Sequence, residues 1–279
     1  MYFAGVDIGS TMTKVVIHND EILASIIGPS GTEHRKLANH VMNEALKQAG
    51  LSLDDISYIV ATGYGRVNVP FADKQITEIT CHAKGVHYLF PNAKTVIDIG
   101  GQDSKGIKLN GDKVIDFVMN NKCAAGTGRF LEFAAESMGI SLEEMGTLSF
   151  HSQNKKTISS ICTIFAQEEI VAHLSEGAAI NDIVAGLFDS FATRIWTMVK
   201  GIKIEKDVVI TGGGAKYPGL VKALENKLGC EVLTPSEPLL TGAIGAALLA
   251  KDTASKIEDN ELPLSRGRRA LEEVTFFTD

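Results

Sequence analysis

DIGSTMTKVVI occupies residues 7–17 and DIGGQDSKGIKL occupies residues 98–109. Both read D-I-G-x-x-x-x-K, so Asp7, Gly9 and Lys14 match Asp98, Gly100 and Lys105. In each, an apolar β-branched run enters a glycine turn and leaves it again, the pattern of strand, tight turn and strand. Four identities in eight positions, in the same local context, predict a duplicated half, with one copy in each of two α/β domains.

Glycine lets a backbone approach an anion closely, and the N–H groups it exposes form an anion-binding nest. Around Gly9 the first copy adds Ser10, Thr11, Met12 and Thr13, whose three hydroxyls can donate; the second has Gly100, Gly101 and Gln102. A third turn, Gly212, Gly213, Gly214 and Ala215, follows the strand-like DVVIT and precedes a helix-like run. One glycine turn would be no more than a hairpin. Two matched turns and a later strand–GGG–helix predict nucleotide binding. No G-x-x-x-x-G-K-[ST] loop is present, nor a G-x-G-x-x-G after a strand, which excludes the P-loop and Rossmann patterns. Asp7 and Asp98, at strand ends, are candidates to hold Mg²⁺ through water. Gln102 and Asp103 stand where an attacking water could be oriented. Gln102 is too weak a base to need deprotonation, which suits a loose phosphoryl-transfer transition state. Lys14 and Lys105 either serve the nucleotide or flank their strands on a solvated face. Arg129 and Glu132 either reach the nucleotide or are ordinary charges of an amphipathic helix.

Outward from the two turns, HRKLANHVMNEALKQAGL reads as a helix with an apolar face at Leu37, Val41, Ala45 and Leu46, ending near Gly50. ISYIVATGYG reads as a strand entering a glycine turn. Residues 95–120 read as three strands, with Asn110 and Gly111 as a hairpin turn. Helices are predicted over 128–138, 163–175 and 181–200. LLTGAIGAALLAK is a helix of small residues, able to pack closely on a neighbour. The predicted domains are 1–95, closed by the helix near 240–251, and 96–251. From about Asp252 the chain turns polar and irregular, and 252–279 is expected to be a tail, disordered or an expression remnant.

The 279 residues carry a net charge of −7 and a pI near 5.6, which argues against nucleic acid as a partner. No stretch of about 20 apolar residues suggests a membrane span, and no basic n-region suggests a signal peptide. The expected compartment is the reducing cytoplasm, where Cys81, Cys123, Cys162 and Cys230 would not form disulfides. Cys123, in NNKCAAGTGRFLEF (120–133), and Cys162 each precede a helix-like run. Helix N-termini carry partial positive charge and free N–H groups, which would favour thiolates and a reduced metal cluster. On the residues alone, the pair reads either as buried inert cysteines or as a metal or redox site. Cys81 and Cys230 read as packing residues, and His82 has no partner at zinc-ligand spacing.

Residues 7–14, 98–105 and 211–216 resemble the phosphate-1, phosphate-2 and adenosine motifs of the acetate and sugar kinase, heat-shock chaperone and actin superfamily. LTGAIGAALLA resembles its second connecting helix. The resemblance runs to about Ala250 and implies two ribonuclease-H-like lobes with ATP in the cleft between them. Within it, ATGYGR, ADKQITEITCHAKG, VIDIGGQDSK, NKCAAGTGRFLE and ISSICTIFAQEE together resemble the ATP-dependent activators of 2-hydroxyacyl-CoA dehydratases, related to the ATPase subunits of benzoyl-CoA reductase. That resemblance implies a homodimer with one four-iron four-sulfur cluster, held by Cys123 and Cys162 of each subunit. It further implies ATP, ADP and Mg²⁺ as ligands, an electron donor such as ferredoxin or flavodoxin, and one-electron transfer to a separate dehydratase. Four thiolates would also accept zinc. The rival readings are a small-molecule kinase of the same fold and an ATP-switched assembly or chaperone module. Neither accounts for cysteines at two helix starts.

Overall fold

A computed structural model of the chain describes residues 1–159, 161–259 and 269–272. They fall into two units: Met1–Pro91, Gly111–Val114 and the described residues from Leu239 onward form the first, and Asn92–Asn110 with Ile115–Pro238 form the second.

The first unit begins with β1 (Tyr2–Ile8), β2 (Met12–Asn19) and β3 (Glu21–Pro29). Helix α1 (His34–Ala49) buries Ala38, Val41, Met42, Ala45 and Leu46, with Leu37 half-buried at its edge. It stops at Gly50, whose left-handed backbone (φ 67°) lets its N–H close the last turn. Then come β4 (Ile56–Thr62), β5 (Lys74–Gln75) and α2 (Glu78–Leu89), the last capped by the Thr77 hydroxyl. The sheet order is β3-β2-β1-β4-β5, antiparallel through the hairpins and parallel from β1 to β4 to β5.

The second unit repeats the plan. Strands β6 (Thr95–Ile99), β7 (Ser104–Asn110) and β8 (Lys113–Asn120) lead into α3 (Gly128–Met138), α4 (Leu142–Leu148), α5 (Thr163–Ser175) and α6 (Ile180–Val199). Strand β9 (Val208–Thr211), helix α7 (Pro218–Leu228) and β10 (Val232–Leu233) follow. The order is β10-β9-β6-β7-β8, again with an antiparallel hairpin (β6–β7, as β1–β2) beside strands that run parallel from β6 to β9 to β10. Helix α6 supplies the centre of this core through Ile183, Leu187, Phe188, Phe191 and Ile195, with Phe130 of α3 stacked on Phe191.

The chain then returns to the first unit as α8 (Thr241–Glu258). Glycines set how close this helix comes. A Cβ on Gly245 would lie 1.7 Å from the Cys81 carbonyl oxygen of α2, and one on Gly5 of β1 would lie 2.1 Å from the Ala243 carbonyl oxygen. A larger residue at either place would need the backbones to part. The expectation that the chain turns irregular at Asp252 is corrected, because α8 runs on to Glu258. Lys84 pairs with Asp252 at 2.8 Å and Ala254 is buried, so polar composition here marks one face of a helix. Part of the expected tail also docks. Arg269 donates to Asp73 and to the Ile56 and Ser57 carbonyls, Leu271 packs on the core, and Glu272 pairs with Arg35. Residues 260–268 and 273–279 lie outside the described residues. No helix among the described residues is long and apolar enough to cross a membrane.

Candidate functional site

The D-I-G-x-x-x-x-K spacing has a geometric meaning in each hairpin. Residues that face each other across antiparallel strands put their side chains on the same side of the sheet. Asp7 stands opposite Lys14 in β1–β2, and Asp98 opposite Lys105 in β6–β7. Both pairs are buried, with Lys14 Nζ 3.2 Å from Asp7 Oδ2 and Lys105 Nζ 3.4 Å from Asp98 Oδ2. The solvated-face reading of the two lysines therefore fails, because each ammonium is taken up by its cross-strand carboxylate. The turns match as well: Gly9 N–H donates to the Met12 carbonyl (3.0 Å) and Gly100 N–H to the Asp103 carbonyl (2.9 Å).

The duplication extends further than the sequence reading saw. Each aspartate also faces a threonine on the neighbouring parallel strand, Asp7 opposite Thr62 and Asp98 opposite Thr211. A left-handed glycine follows each, Gly63 at φ 83° and Gly212 at φ 77°. Added Cβ atoms there would fall 2.3 Å from Asp7 Oδ1 and 2.8 Å from Asp98 Oδ1. Two residues on, Gly65 and Gly214 leave room for Ile8 and Ile99 in the same way. The signal was present as T-G-x-G at 62–65 and 211–214. Its meaning is not legible locally, because the partner of each Asp-Ile-Gly is set by strand pairing and not by sequence proximity.

The two copies differ at their turns. In the second, Lys105 Nζ is also 2.7 Å from Asp103 Oδ1, and Thr211 donates to Asp98 Oδ1 at 2.9 Å. Met12 occupies the position of Asp103 in the first copy. Gln102 is exposed and Asp103 half-buried. In the first unit, Gly242 of α8 leaves a space bordered by the Asp7 carboxylate and His82 Nε2. The His82 Nδ1 edge meets the Thr241 hydroxyl at 2.9 Å. Gly213 and Gly214 lie in the short turn between β9 and α7, with Ala215 buried behind them. Arg129 and Glu132 pair with each other at 2.8 Å, the arrangement of an exposed helix face.

Cys123 and Cys162 both belong to the second unit and both are half-buried. Cys162 is the N-cap residue of α5. Cys123 lies upstream of α3 in a loop tied down by polar side chains: Asn120 donates to the Cys123 and Ala125 carbonyls, and Ser104 to the Gly126 carbonyl. The expectation that both helix starts face the sulfurs is corrected for α3. Its first two amides, Gly128 and Arg129, donate to the Gly100 and Gly101 carbonyls at 2.8 Å. That spends the helix start on the glycine turn and joins the turn to the cysteine loop.

Among the described residues no three His, Cys, Asp or Glu side chains gather as a metal site. Cys123 and Cys162 are both part-exposed at the protein surface, and two copies of the chain would bring four such thiols. Around Cys162 that surface is apolar, with Ile161, Ile164 and Phe165 exposed. A soft donor set of this kind, completed by a second copy, fits an iron–sulfur cluster.

The remaining cysteines are packing residues. Cys230 is half-buried against the core just before β10. Cys81 is fully buried, and burial pushes its thiol up to about 12 from 9.0. A folded-state value above the unfolded one means the native protein holds this proton more tightly. The stability it contributes is complete below pH 9 and is lost as pH rises through about 12. Denaturant midpoints are expected to fall over that window, and Cys81→Ala should flatten the slope. An unchanged slope would sink the assignment.

The model of the BadF/BadG/BcrA/BcrD ATPase family matches residues 4–250. The 2-hydroxyisocaproyl-CoA dehydratase activator of Clostridioides difficile is 46% identical over 259 residues, 92% of this chain and 97% of that protein. The (R)-2-hydroxyglutaryl-CoA dehydratase activating ATPase of Acidaminococcus fermentans is 41% identical over 259 residues, 92% and 99% of the two chains. A solved structure of the Clostridium difficile activator with bound ADPNP superposes with a TM-score of 0.88 at 44% identity, covering 95% of this chain and 100% of that one. A ROK family glucokinase from Streptomyces griseus, 14% identical with a TM-score of 0.57 over 90% and 100% of the chains, shares the fold alone.

Proposed function

The chain belongs to the BadF/BadG/BcrA/BcrD ATPase family, and from that membership we propose that it is an ATP-hydrolysing activator delivering one electron at a time to a 2-hydroxyacyl-CoA dehydratase. The observation that carries the reading is the hydrogen-bonded junction between the Gly100–Gly101 turn and the first two amides of α3. It connects a nucleotide loop to a cysteine loop inside one unit, which an electron carrier driven by ATP requires and a kinase does not.

In this reading, the turns Gly9–Thr13 and Gly100–Gln102 receive the phosphates through their hydroxyls and their remaining amides, while the Gly9 and Gly100 N–H groups stay on the Met12 and Asp103 carbonyls and fix the turns. Lys14 and Lys105 hold Asp7 and Asp98 in place. A carboxylate offers about four acceptor sites, so both aspartates keep capacity for water bound to Mg²⁺. Gln102, exposed at its turn, orients the attacking water, and Asp103 positions Lys105 beside it. Gly212, Gly213, Gly214 and Ala215 line the adenosine. Cys123 and Cys162 from each of two copies supply the four thiolates of one four-iron four-sulfur cluster, which when bound provides the one-electron chemistry. Asn120 and Ser104 hold the Cys123 loop, so that movement of the glycine turn on ATP hydrolysis reaches it. For coupling, the nucleotide and the dehydratase must favour the same conformer. The electron donor is a small carrier such as ferredoxin or flavodoxin, and the compartment is the cytoplasm.

The test is purification without oxygen, followed by iron analysis and reduction of a cognate dehydratase with and without ATP. The expected result is a brown dimer with about four irons, the number one cubane requires, and activation only when ATP is hydrolysed. A colourless, iron-free protein that binds ATP and phosphorylates an added small molecule would replace this reading with that of a kinase.

A further inference from the structure

Arg194 bridges the two cysteine-bearing segments. It projects from α6, outside every motif read from the sequence. Its Nη1 donates to the Ile161 carbonyl at 3.2 Å, one residue before Cys162. On the other side its stem meets the Cys123 loop: a Cβ added to Gly126 would lie 3.4 Å from both Cγ and Cδ of Arg194. Gly126 has a left-handed backbone (φ 86°), and its carbonyl is held by Ser104 at 2.5 Å. Asn120, which holds the Cys123 and Ala125 carbonyls, lines one cavity together with Ile161 and Arg194. One side chain therefore spans from the loop after Cys123 to the residue before Cys162.

We propose that Arg194 is the positioning residue that sets the spacing of the two thiols within one chain and places a permanent positive charge beside them. A guanidinium suits both tasks. Its planar fork fixes a carbonyl in direction as well as distance, and it cannot lose its charge. Four thiolates around an iron–sulfur core carry net negative charge that grows by one on reduction. A fixed cation beside them favours the reduced state and raises the potential. The inference rests on the cluster reading above.

Wild type, Arg194→Lys and Arg194→Met are compared anaerobically by iron content, rate of iron loss to a chelator, and midpoint potential from an EPR-monitored titration. Nucleotide affinity serves as the control for folding. Arg194→Met keeps the stem over Gly126 but loses fork and charge: it should lose iron to chelator at least severalfold faster, and its midpoint should move negative. Arg194→Lys keeps the charge alone: it should keep the wild-type midpoint while still losing iron faster. Wild-type values for both variants overturn the proposal. Should Arg194→Met fail to fold, the chelator rate of Arg194→Lys decides by itself, and an unchanged rate overturns the proposal. A wild-type protein without iron would instead remove the cluster reading, so the two failures are distinguishable.

Discussion

Replacing Cys123 or Cys162 by serine is expected to strip the iron and its visible absorption from the protein while leaving a folded chain that binds ATP. A hydroxyl is a far poorer ligand for iron than a thiolate, and a cubane held by four thiolates loses two of them at once, because the substitution appears in both copies. The local structure tolerates the change. Cys162 occupies the N-cap of α5 without a side-chain cap hydrogen bond, and serine is among the preferred N-cap residues. The Cys123 loop is held through carbonyls by Asn120 and Ser104, not through the sulfur. Iron content, visible absorption and nucleotide affinity are measured on the same preparation. A variant with full iron and unchanged colour would remove that cysteine from the ligand set.

The second large effect is expected at Asp7. Asp7→Asn keeps the shape of the side chain and removes its charge, leaving the Lys14 ammonium buried without its counterion. Breaking a buried pair on one side costs roughly 3–5 kcal/mol, whereas replacing both partners by uncharged groups is often near neutral. Unfolding in denaturant should show that loss for Asp7→Asn and recover most of it in Asp7→Asn/Lys14→Met. ATP hydrolysis should stay depressed in both, by about 10–100-fold, the usual cost of removing a group that orients a metal's shell. Hydrolysis that recovers with stability would make Asp7 a purely structural residue. The second unit supplies an internal comparison. Lys105 has Asp103 as a further carboxylate at 2.7 Å, so Asp98→Asn should cost less stability than Asp7→Asn.

Much of the site is readable where the chemistry is local. Each Asp-Ile-Gly turn, its lysine and the glycine run at 212–214 sit within a few residues of each other, and turn geometry depends on φ and ψ of those residues alone. Helices α3 and α5 fall on the expected residues because apolar spacing and a clear start mark them. Strand β3 leaves a weak pattern in the sequence because it is half-exposed, with Ile22 and Leu23 on the outside. Helices α2 and α4 lie outside the sequence expectations, although Thr77 and Ser141 cap them. The tail departs from expectation for a related reason. Composition alone does not distinguish a solvated helix face from a disordered segment, and what holds Arg269 and Glu272 is Asp73 and Arg35, far upstream.

Local succession of residues is enough to specify a duplicated α/β protein with two matched phosphate-type hairpins and to single out Cys123 and Cys162 as residues before helix starts. What those residues face is fixed only once the chain is folded. The pairing of Asp98 with Thr211 joins positions 113 apart, and Arg194 reaches Ile161 across 33. The burial of Lys14 and Lys105 and the use of α3's first amides on Gly100 and Gly101 belong to the same class. A turn is specified by the torsional preferences of the residues inside it. A contact between distant residues exists only once strands choose their register and helices settle into a packed core. That choice is made by the whole chain at once, so no short stretch carries it.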